Sequence, residues 1–297
     1  FGRLISLAEL PLVWYRMIIA TGVLATVLAV GGRLHRPTFR EAWRIGCCGT
    51  LLAIHWVLFY GSIKAANVSV GVVCFALNGF FTALLEPMVS SKRFSLRHLL
   101  LGLITLGGIV LIFGLNMQFR TGIVIGTFSS LFYTLFAIAS KRVQSATGVE
   151  SSAMLLYELL TGWCVLSLAM PFYAMLYPSV SLMPEGSDWL FITLFASVFT
   201  IGPFLTQLQA LRTLSAFTVN LSYNLEPLYS IALAMLLFNE AQELNLSFWM
   251  GVSMIVAAVG YHAVCGTRSV FVKPDEQRSV HLSSAMARKR PMQWNGE

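Results

Sequence analysis

The sequence predicts an all-α, polytopic integral membrane protein, and three observations lead to this fold class. Hydrophobic residues make up 57% of the 297 positions and charged residues 11%, whereas a soluble domain carries roughly 25% charged residues. The apolar residues form nine runs of about the 20 residues that a helix needs to cross the hydrocarbon layer. Within each run the apolar residues follow one another and do not alternate with polar ones, which favours helices over barrel strands.

The nine predicted transmembrane helices follow one another with short connections. They are residues 12–30, 44–61, 68–89, 96–115, 122–140, 152–177, 189–211, 216–238 and 248–265. The five cysteines lie inside these runs without metal-ligand or disulfide-framework spacing. We therefore interpret them as packing residues and expect neither a metal site nor a cofactor.

The loop charges predict the topology, because Lys and Arg accumulate in cytoplasmic connections. The basic connections alternate along the chain and comprise residues 31–44, 92–97, 141–142, 212 and 267–297. The intervening connections hold only Arg3, Lys64 and Arg120 as basic residues. The net charge of +7 is thus explained by membrane topology and does not indicate a nucleic-acid partner. We expect a cytoplasmic C-terminus and, for residues 267–297, a disordered tail.

A weak internal duplication accompanies this topology. At offsets near 142 to 149 residues, Tyr15-Arg16 matches Tyr157-Glu158, Lys64 matches Arg212, and Asn78 matches Glu226. The first four spans thereby correspond to the sixth to ninth, and the fifth has no partner upstream. Units with an odd number of helices insert in opposite orientations. We expect two inverted five-helix repeats, residues 1–116 and 117–266, the first of them lacking its first helix, so that nine of ten helices are visible and Phe1 lies outside.

Two stretches resemble a known family. The stronger is Asn224-Leu225-Glu226-Pro227-Leu228, followed by Asn239-Glu240, Gly251 and Gly260. The weaker is Leu85-Glu86-Pro87 with Lys92-Arg93 and Gly102, in which Pro87 comes late and leaves Asn78-Gly79 at the expected proline position. The pattern resembles the EamA-type members of the drug/metabolite transporter superfamily, over roughly residues 4–265.

The resemblance implies a multi-pass carrier of the bacterial inner membrane that moves a small metabolite, an amino acid or related compound, in the direction of export. Alternating access between inverted repeats is the leading mechanism. The partners would be the small-molecule substrate, the lipid bilayer and, as a candidate coupling ion, the proton; the oligomeric state stays open. A carrier of lipids or drug-like compounds is the alternative. An intramembrane enzyme is disfavoured, since the chain has no HExxH or GxSxG motif, and a receptor is disfavoured by the short loops.

Ionisable residues inside apolar spans are the first candidates for the site, because burying them costs a few kcal/mol. Glu226 can exchange a proton or pair with a substrate ammonium, and an interhelical structural hydrogen bond is the alternative. Arg16 can bind a substrate carboxylate through two hydrogen bonds, or it is structural. His55, beside Trp56, can carry a proton, although a packing role is favoured.

The remaining candidates are polar neighbours of these residues or their repeat equivalents. Asn78 and Thr82 recur every fourth residue on one helix face, and Glu158 is the repeat equivalent of Arg16. The complete candidate set is Glu226, Tyr223, Asn224, Arg16, Tyr15, His55, Trp56, Asn78, Thr82, Glu158, Tyr157 and Gln207. Lys64 and Arg212 end equivalent helices, where interfacial anchoring is the expected role.

Overall fold

A computed structural model of the protein describes residues 5–34, 36–89, 95–113 and 119–223, and after these residues 226, 229, 233, 246, 247, 249–251, 253, 254, 256–258, 260 and 261. Within these residues the chain forms helices and no strand. The helices are α1 Glu9–Val30, α2 Phe39–Ala65, α3 Val68–Phe75, α4 Asn78–Val89, α5 Leu96–Phe113, α6 Arg120–Thr147, α7 Ser151–Leu176, α8 Asp188–Ser197, α9 Ile201–Thr213 and α10 Ala216–Ser222.

Six stretches of the described chain are long and apolar enough to cross a membrane. They are Glu9–Val30, Phe39–Ala65, Val68–Val89, Arg120–Thr147, Ser151–Leu176 and Asp188–Thr213, and each contains or overlaps one of the predicted spans. Shorter apolar helices cover Leu99–Gly108 and Trp249–Ala258, within the fourth and ninth predicted spans. The polytopic all-α class is confirmed, whereas the count of nine stays a prediction and residues 267–297 lie outside the described residues.

The third predicted span is broken in its middle, which the apolar pattern did not indicate. α3 ends at Phe75, and a turn through Ala76 and Leu77 precedes α4. Side chains of α6 satisfy the carbonyls at this turn, since Ser130 Oγ donates to Cys74 O at 2.6 Å and Thr134 Oγ1 donates to Asn78 O at 3.2 Å. Irregular backbone at membrane depth is tolerated where neighbouring helices provide such partners.

The seventh predicted span is also broken, between α8 and α9. Pro203 lies in the first turn of α9, and in a continuous helix its ring would clash with the carbonyl of Phe199. The hydroxyl of Thr200 donates to Phe195 O at 2.9 Å and so binds one of the carbonyls at the break. The proline explains why the helix stops there, and the threonine stabilises the stop.

α2 packs against α6 and α7 and lies at the centre of the described chain. α2 and α6 run antiparallel, because Ser62 Oγ donates to Gly122 O at 2.7 Å while His55 lies beside Ser129. α1 and α7 are antiparallel as well, since Trp14 Nε1 donates to Ser167 Oγ at 2.8 Å and Tyr173 Oη donates to Glu9 Oε1 at 3.0 Å. The helices that the duplication pairs with each other, α1 and α7, therefore point in opposite directions.

Helix starts recur at the offsets of the sequence duplication. The start of α1 at Glu9 corresponds to that of α7 at Ser151, and the start of α3 at Val68 corresponds to that of α10 at Ala216. The N-caps of the latter pair are equivalent, because Asn67 Oδ1 accepts from Val70 N at 2.8 Å and Ser215 Oγ accepts from Thr218 N at 3.0 Å. The duplication is therefore visible in the local structure as well as in the sequence.

Lys64 and Arg212, the basic residues that end matched helices, make matched contacts. Lys64 Nζ donates to the carbonyl of Leu7, and Arg212 Nη2 donates to the carbonyl of Val149 at 2.9 Å. Leu7 and Val149 are themselves equivalent, since each lies two positions before the first residue of its helix, α1 or α7. Each contact thus ties the end of one helix to the start of its neighbour. These equivalences support the duplication more strongly than residue identity did.

The close contact of α2 with α7 depends on glycine and provides a test of the packing. A Cβ on Gly49 would lie 2.3 Å from the backbone oxygen of Glu158, whereas a Cβ on Gly22 in α1 has nothing within 4 Å. We expect Gly49→Ala to destabilise the protein by about 1–3 kcal/mol through overpacking, measured as a lower Tm in detergent. Gly22→Ala is the matched control and should leave Tm unchanged or slightly higher; equal Tm values for both variants would contradict the packing.

Candidate functional site

A cavity of about 780 Å³ lies beside the C-terminal half of α2, the half that carries Lys64. Its walls are mainly aromatic, and its polar groups come from α1, α2, α6, α10 and the segment that follows α10. The lining residues are Arg16, His55, Trp56, Phe59, Tyr60, Ile63, Val68, Val72, Phe75, Tyr133, Phe195, Phe199, Pro203, Phe204, Ser222, Tyr223, Glu226 and Tyr229. Pockets of this size and composition hold small organic ligands.

Arg16 is 4% exposed and is fixed at the cavity wall by four residues. Its Nε donates to Thr200 Oγ1 and one Nη donates to the Tyr60 hydroxyl, both at 2.8 Å. Its Cζ lies 3.8 Å from the ring centroid of Trp56 and 4.2 Å from that of Phe195. Arginine has five N–H groups, so contacts with the described residues use two of them and three remain for a ligand. Aromatic faces on the guanidinium add cation–π stabilisation.

Glu226 contributes a carboxyl group to the cavity and is the acidic residue among the lining residues that the structure describes. It is partly buried and lines the same cavity as Arg16. Within the described part of the chain, no residue donates a hydrogen bond to its carboxylate. The cavity therefore presents a cation and an anion that do not neutralise each other by direct contact.

His55 is held in one tautomer at the wall of the cavity. Its Nδ1 lies 3.0 Å from Ser129 O, and because a carbonyl only accepts, Nδ1 is the donor. The Ser129 hydroxyl lies 2.9 Å from the same nitrogen and 3.2 Å from His55 O. The ring also packs on Tyr133 with a centroid distance of 4.9 Å. In the neutral ring, Nε2 is thus left as the acceptor.

Tyr223 connects the cavity to a buried glutamine. Its hydroxyl donates to Gln207 Oε1 at 3.3 Å, and its ring packs edge-to-face on Tyr133 at 5.8 Å. Gln207 is buried, and its Nε2 has no hydrogen-bond partner among the described residues. The structure thus brings six of the sequence candidates together, five in the lining and Gln207 directly behind Tyr223.

Three candidates on α1 and α7 lie away from this cavity. Tyr15 packs edge-to-face on Trp189 at 5.4 Å, and Tyr157 packs at the margin of the hydrophobic core. Glu158 is completely buried between α2, α6 and α7, where its Oε1 accepts from Ser140 Oγ at 2.8 Å. Glu158 and Arg16, which the duplication matches, therefore have separate partners and do not form a pair.

Asn78 and Thr82 form a second polar cluster with Asn220 of α10. Thr82 Oγ1 accepts from Asn220 Nδ2 at 2.8 Å, and all three side chains are fully buried. The amide of Asn78 has no hydrogen-bond partner among the described residues. Neither Asn78 nor Thr82 lines the cavity, so the polar stripe predicted on this face contacts α10 instead. Asn224 lies outside the described residues.

Tyr60 and Phe195 are site residues that were not among the sequence candidates, and together with Thr200 they position Arg16. Tyr60 follows Trp56 by four residues and so shares its helix face, a signal that was available in the sequence. Thr200 and Phe195 reach Arg16 because the chain breaks between α8 and α9, which periodicity alone did not reveal. No group of three or more potential metal ligands occurs among the residues that the structure describes.

Comparisons with known proteins identify the family. The model of the EamA-like transporter family matches residues 3–114 and 120–261. A crystal structure among the solved structures matches with a TM-score of 0.65 at 18% sequence identity, over 89% of this chain and 90% of that chain; at this identity the likeness shows the fold. No curated protein matches. Since the two matched regions together span well over half of the sequence, the chain belongs to the EamA-like transporter family, whose members are membrane transporters of small molecules.

Proposed function

We propose that the protein is a secondary transporter, and not an enzyme, that exports an amino acid or a closely related zwitterion across the bacterial inner membrane. One observation carries the proposal: Arg16 and Glu226 line the same aromatic cavity without pairing directly. Two opposite charges in one cavity match a ligand that carries both an anion and a cation. The volume of about 780 Å³ is ample for an amino acid with its side chain.

The roles of the two residues follow from their chemistry. The N–H groups of Arg16 that bond to no described residue suit a carboxylate, since a guanidinium binds both of its oxygens at once. The carboxylate of Glu226 suits the ligand ammonium, and Phe75, Phe195 and Phe204 provide apolar walls for the ligand side chain. Because Glu226 is also a titratable group facing the cavity, it is our candidate for proton coupling.

Hydrogen bonds between helices on the inner side of the cavity support alternating access. By the loop charges, the end of α2 at Lys64 is extracellular, so the cavity lies in the outer half of the membrane. In the inner half, Asn220 Nδ2 donates to Thr82 Oγ1 and Arg142 of α6 donates to Val89 O at 3.2 Å, and both contacts join residues 1–116 to residues 117–266. We infer an outward-facing state, which converts to the inward-facing one when residues 1–116 and 117–266 move against each other. Our proposal includes a cytoplasmic C-terminus, which the loop charges support.

The function is tested in inside-out membrane vesicles from cells that express the protein, with vesicles lacking it as the control. The probes are radiolabelled amino acids, each compared with its decarboxylated amine and with its amide. An imposed proton gradient should drive uptake of at least one amino acid, and the amine and the amide should be poorer substrates because each lacks the carboxylate. Equal uptake of the three forms would overturn recognition of a zwitterion.

A carrier of drug-like organic cations is the second candidate. The aromatic lining together with Glu226 favours it, since aromatic faces and a carboxylate both attract organic cations. The fixed guanidinium of Arg16 opposes it, because a like charge in the same cavity raises the cost of binding a cation. Uptake of amines without uptake of any amino acid would favour this candidate over the first.

A further inference from the structure

A second groove, which shares no lining residue with the cavity, lies at the opposite end of α2. It has a volume of about 370 Å³ and is formed by α2, the C-terminal half of α6 and the end of α4. Trp43 and Arg44 of α2 line one side, and Arg142 of α6 lines the other. Trp43 is 70% exposed and Cys47 and Arg142 are exposed, so the groove opens on the outer surface of the helix bundle.

The antiparallel packing of α2 and α6 puts both arginines at the same end of the bundle. Ser62 contacts Gly122 and His55 contacts Ser129, so residue numbers fall along α2 as they rise along α6. Continued at the same rate, this pairing places Arg142 opposite the first turns of α2. The loop charges assign this end to the cytoplasmic side. The two guanidinium groups thus lie at the level where an inner-leaflet lipid carries its phosphate.

The groove combines positive charge with an apolar floor. Arg142 Nη1 donates to Val89 O at 3.2 Å, and Arg44 makes no hydrogen bond with a described residue. Most of their N–H groups are therefore available to an anion. Below the arginines, Leu51, Leu135 and Ile138 provide an apolar surface along the helices. Among the described lining residues none is acidic, so nothing in the lining opposes an anionic ligand.

We propose that this groove binds an anionic phospholipid of the cytoplasmic leaflet, with its phosphate between Arg44 and Arg142 and an acyl chain along Leu51 and Ile138. Basic pockets between helices on the cytoplasmic side suit such head groups, and guanidinium groups bind phosphate oxygens in pairs. Trp43 lies at the rim, where the interfacial region favours its amphipathic ring. The proposal depends on the topology but not on the transported substrate.

The test is lipid binding to the purified full-length protein, measured by native mass spectrometry. Phosphatidylglycerol is compared with phosphatidylcholine of identical acyl chains. We expect tighter binding of phosphatidylglycerol, weakened about fivefold by Arg44→Gln and about 30-fold by Arg44→Gln with Arg142→Gln, since each basic residue near the membrane surface contributes a similar factor. Arg44→Gln alone removes no hydrogen bond to the described protein, so its fold should persist.

The matched control is Arg33→Gln with Arg36→Gln, which removes the same charge from the same side of the protein at exposed positions outside the groove. This variant should bind phosphatidylglycerol as the unmodified protein does. If it loses as much affinity as the groove variant, the attraction is general surface electrostatics and the proposal is wrong. Equal binding of the two lipids by the unmodified protein would also overturn it. Gel filtration establishes that each variant is folded, and a misfolded double variant leaves Arg44→Gln as the deciding comparison.

Discussion

Glu226→Gln is expected to reduce amino-acid transport by about 30-fold to 4000-fold, at unchanged abundance in the membrane. The substitution conserves the shape of the side chain and removes its charge. Losing one member of a desolvated charge pair costs about 2–5 kcal/mol, because the substrate ammonium would enter the cavity without its counter-ion. The measurement is initial uptake of the amino acid identified in vesicles, normalised to the amount of protein.

Glu185→Gln is the matched control for Glu226→Gln, since it removes a negative charge from an exposed connection. Transport by this variant should equal that of the unmodified protein. If Glu226→Gln also transports at the normal rate, Glu226 makes only a structural contact, and neither substrate binding nor proton coupling can be assigned to it. A loss of proton-driven uptake with normal exchange of substrate would assign the residue to coupling alone.

Arg16→Lys is expected to weaken transport of carboxylate-bearing substrates at least tenfold, although the charge is retained. A lysine ammonium cannot stack between Trp56 and Phe195 and still bond to both Thr200 and Tyr60, because those contacts require a planar group with several fixed N–H directions. The loss should appear mainly as a higher KM for the amino acid. Uptake of the decarboxylated amine, which has no carboxylate to bind, should change little.

The control for Arg16→Lys is Arg212→Lys, at a residue that does not line the cavity and that donates to the backbone carbonyl of Val149. A lysine can make that contact, as Lys64 does at the equivalent place, so transport should persist. If Arg16→Lys changes uptake of the amine and the amino acid by the same factor, Arg16 maintains the shape of the cavity and does not recognise a carboxylate.

The sequence predicted the charged residues of the cavity because one rule applied to them without tertiary information. Arg16, His55 and Glu226 interrupt apolar runs, and a buried charge requires either a function or a partner. The rule identified the ionisable residues but could not distinguish those that line the cavity from those buried elsewhere. Glu158 satisfies the same rule, yet it is bonded to Ser140 inside the packed bundle.

The sequence did not show which face of each helix points toward the cavity. Tyr15 and Arg16 are adjacent, and consecutive residues of a helix point about 100° apart. Arg16 faces the cavity, whereas Tyr15 faces Trp189. Only the packing of α1 against α2, α7 and α8 decides which of the two residues lines the cavity, and that packing arises from contacts distant in sequence.

The broken helices were missed for a different reason. Hydropathy measures how long an apolar run is and does not respond to a missing hydrogen bond inside it. The turn after α3 is stabilised by Ser130 and Thr134, which belong to α6 and are far from the turn in the sequence. Pro203 was a visible signal for the second break, but a proline within a membrane helix is common enough to pass as a kink.

The hydroxyl of Thr200 connects the break between α8 and α9 to Arg16 through two consecutive hydrogen bonds. Its only proton goes to the carbonyl of Phe195, and its oxygen accepts from Arg16. Consecutive hydrogen bonds reinforce one another, so the cationic donor strengthens the bond at the break. An anionic ligand that draws the guanidinium toward itself would weaken both bonds together. Occupancy of the cavity by such a ligand would thereby change the hydrogen bonding at the break between α8 and α9.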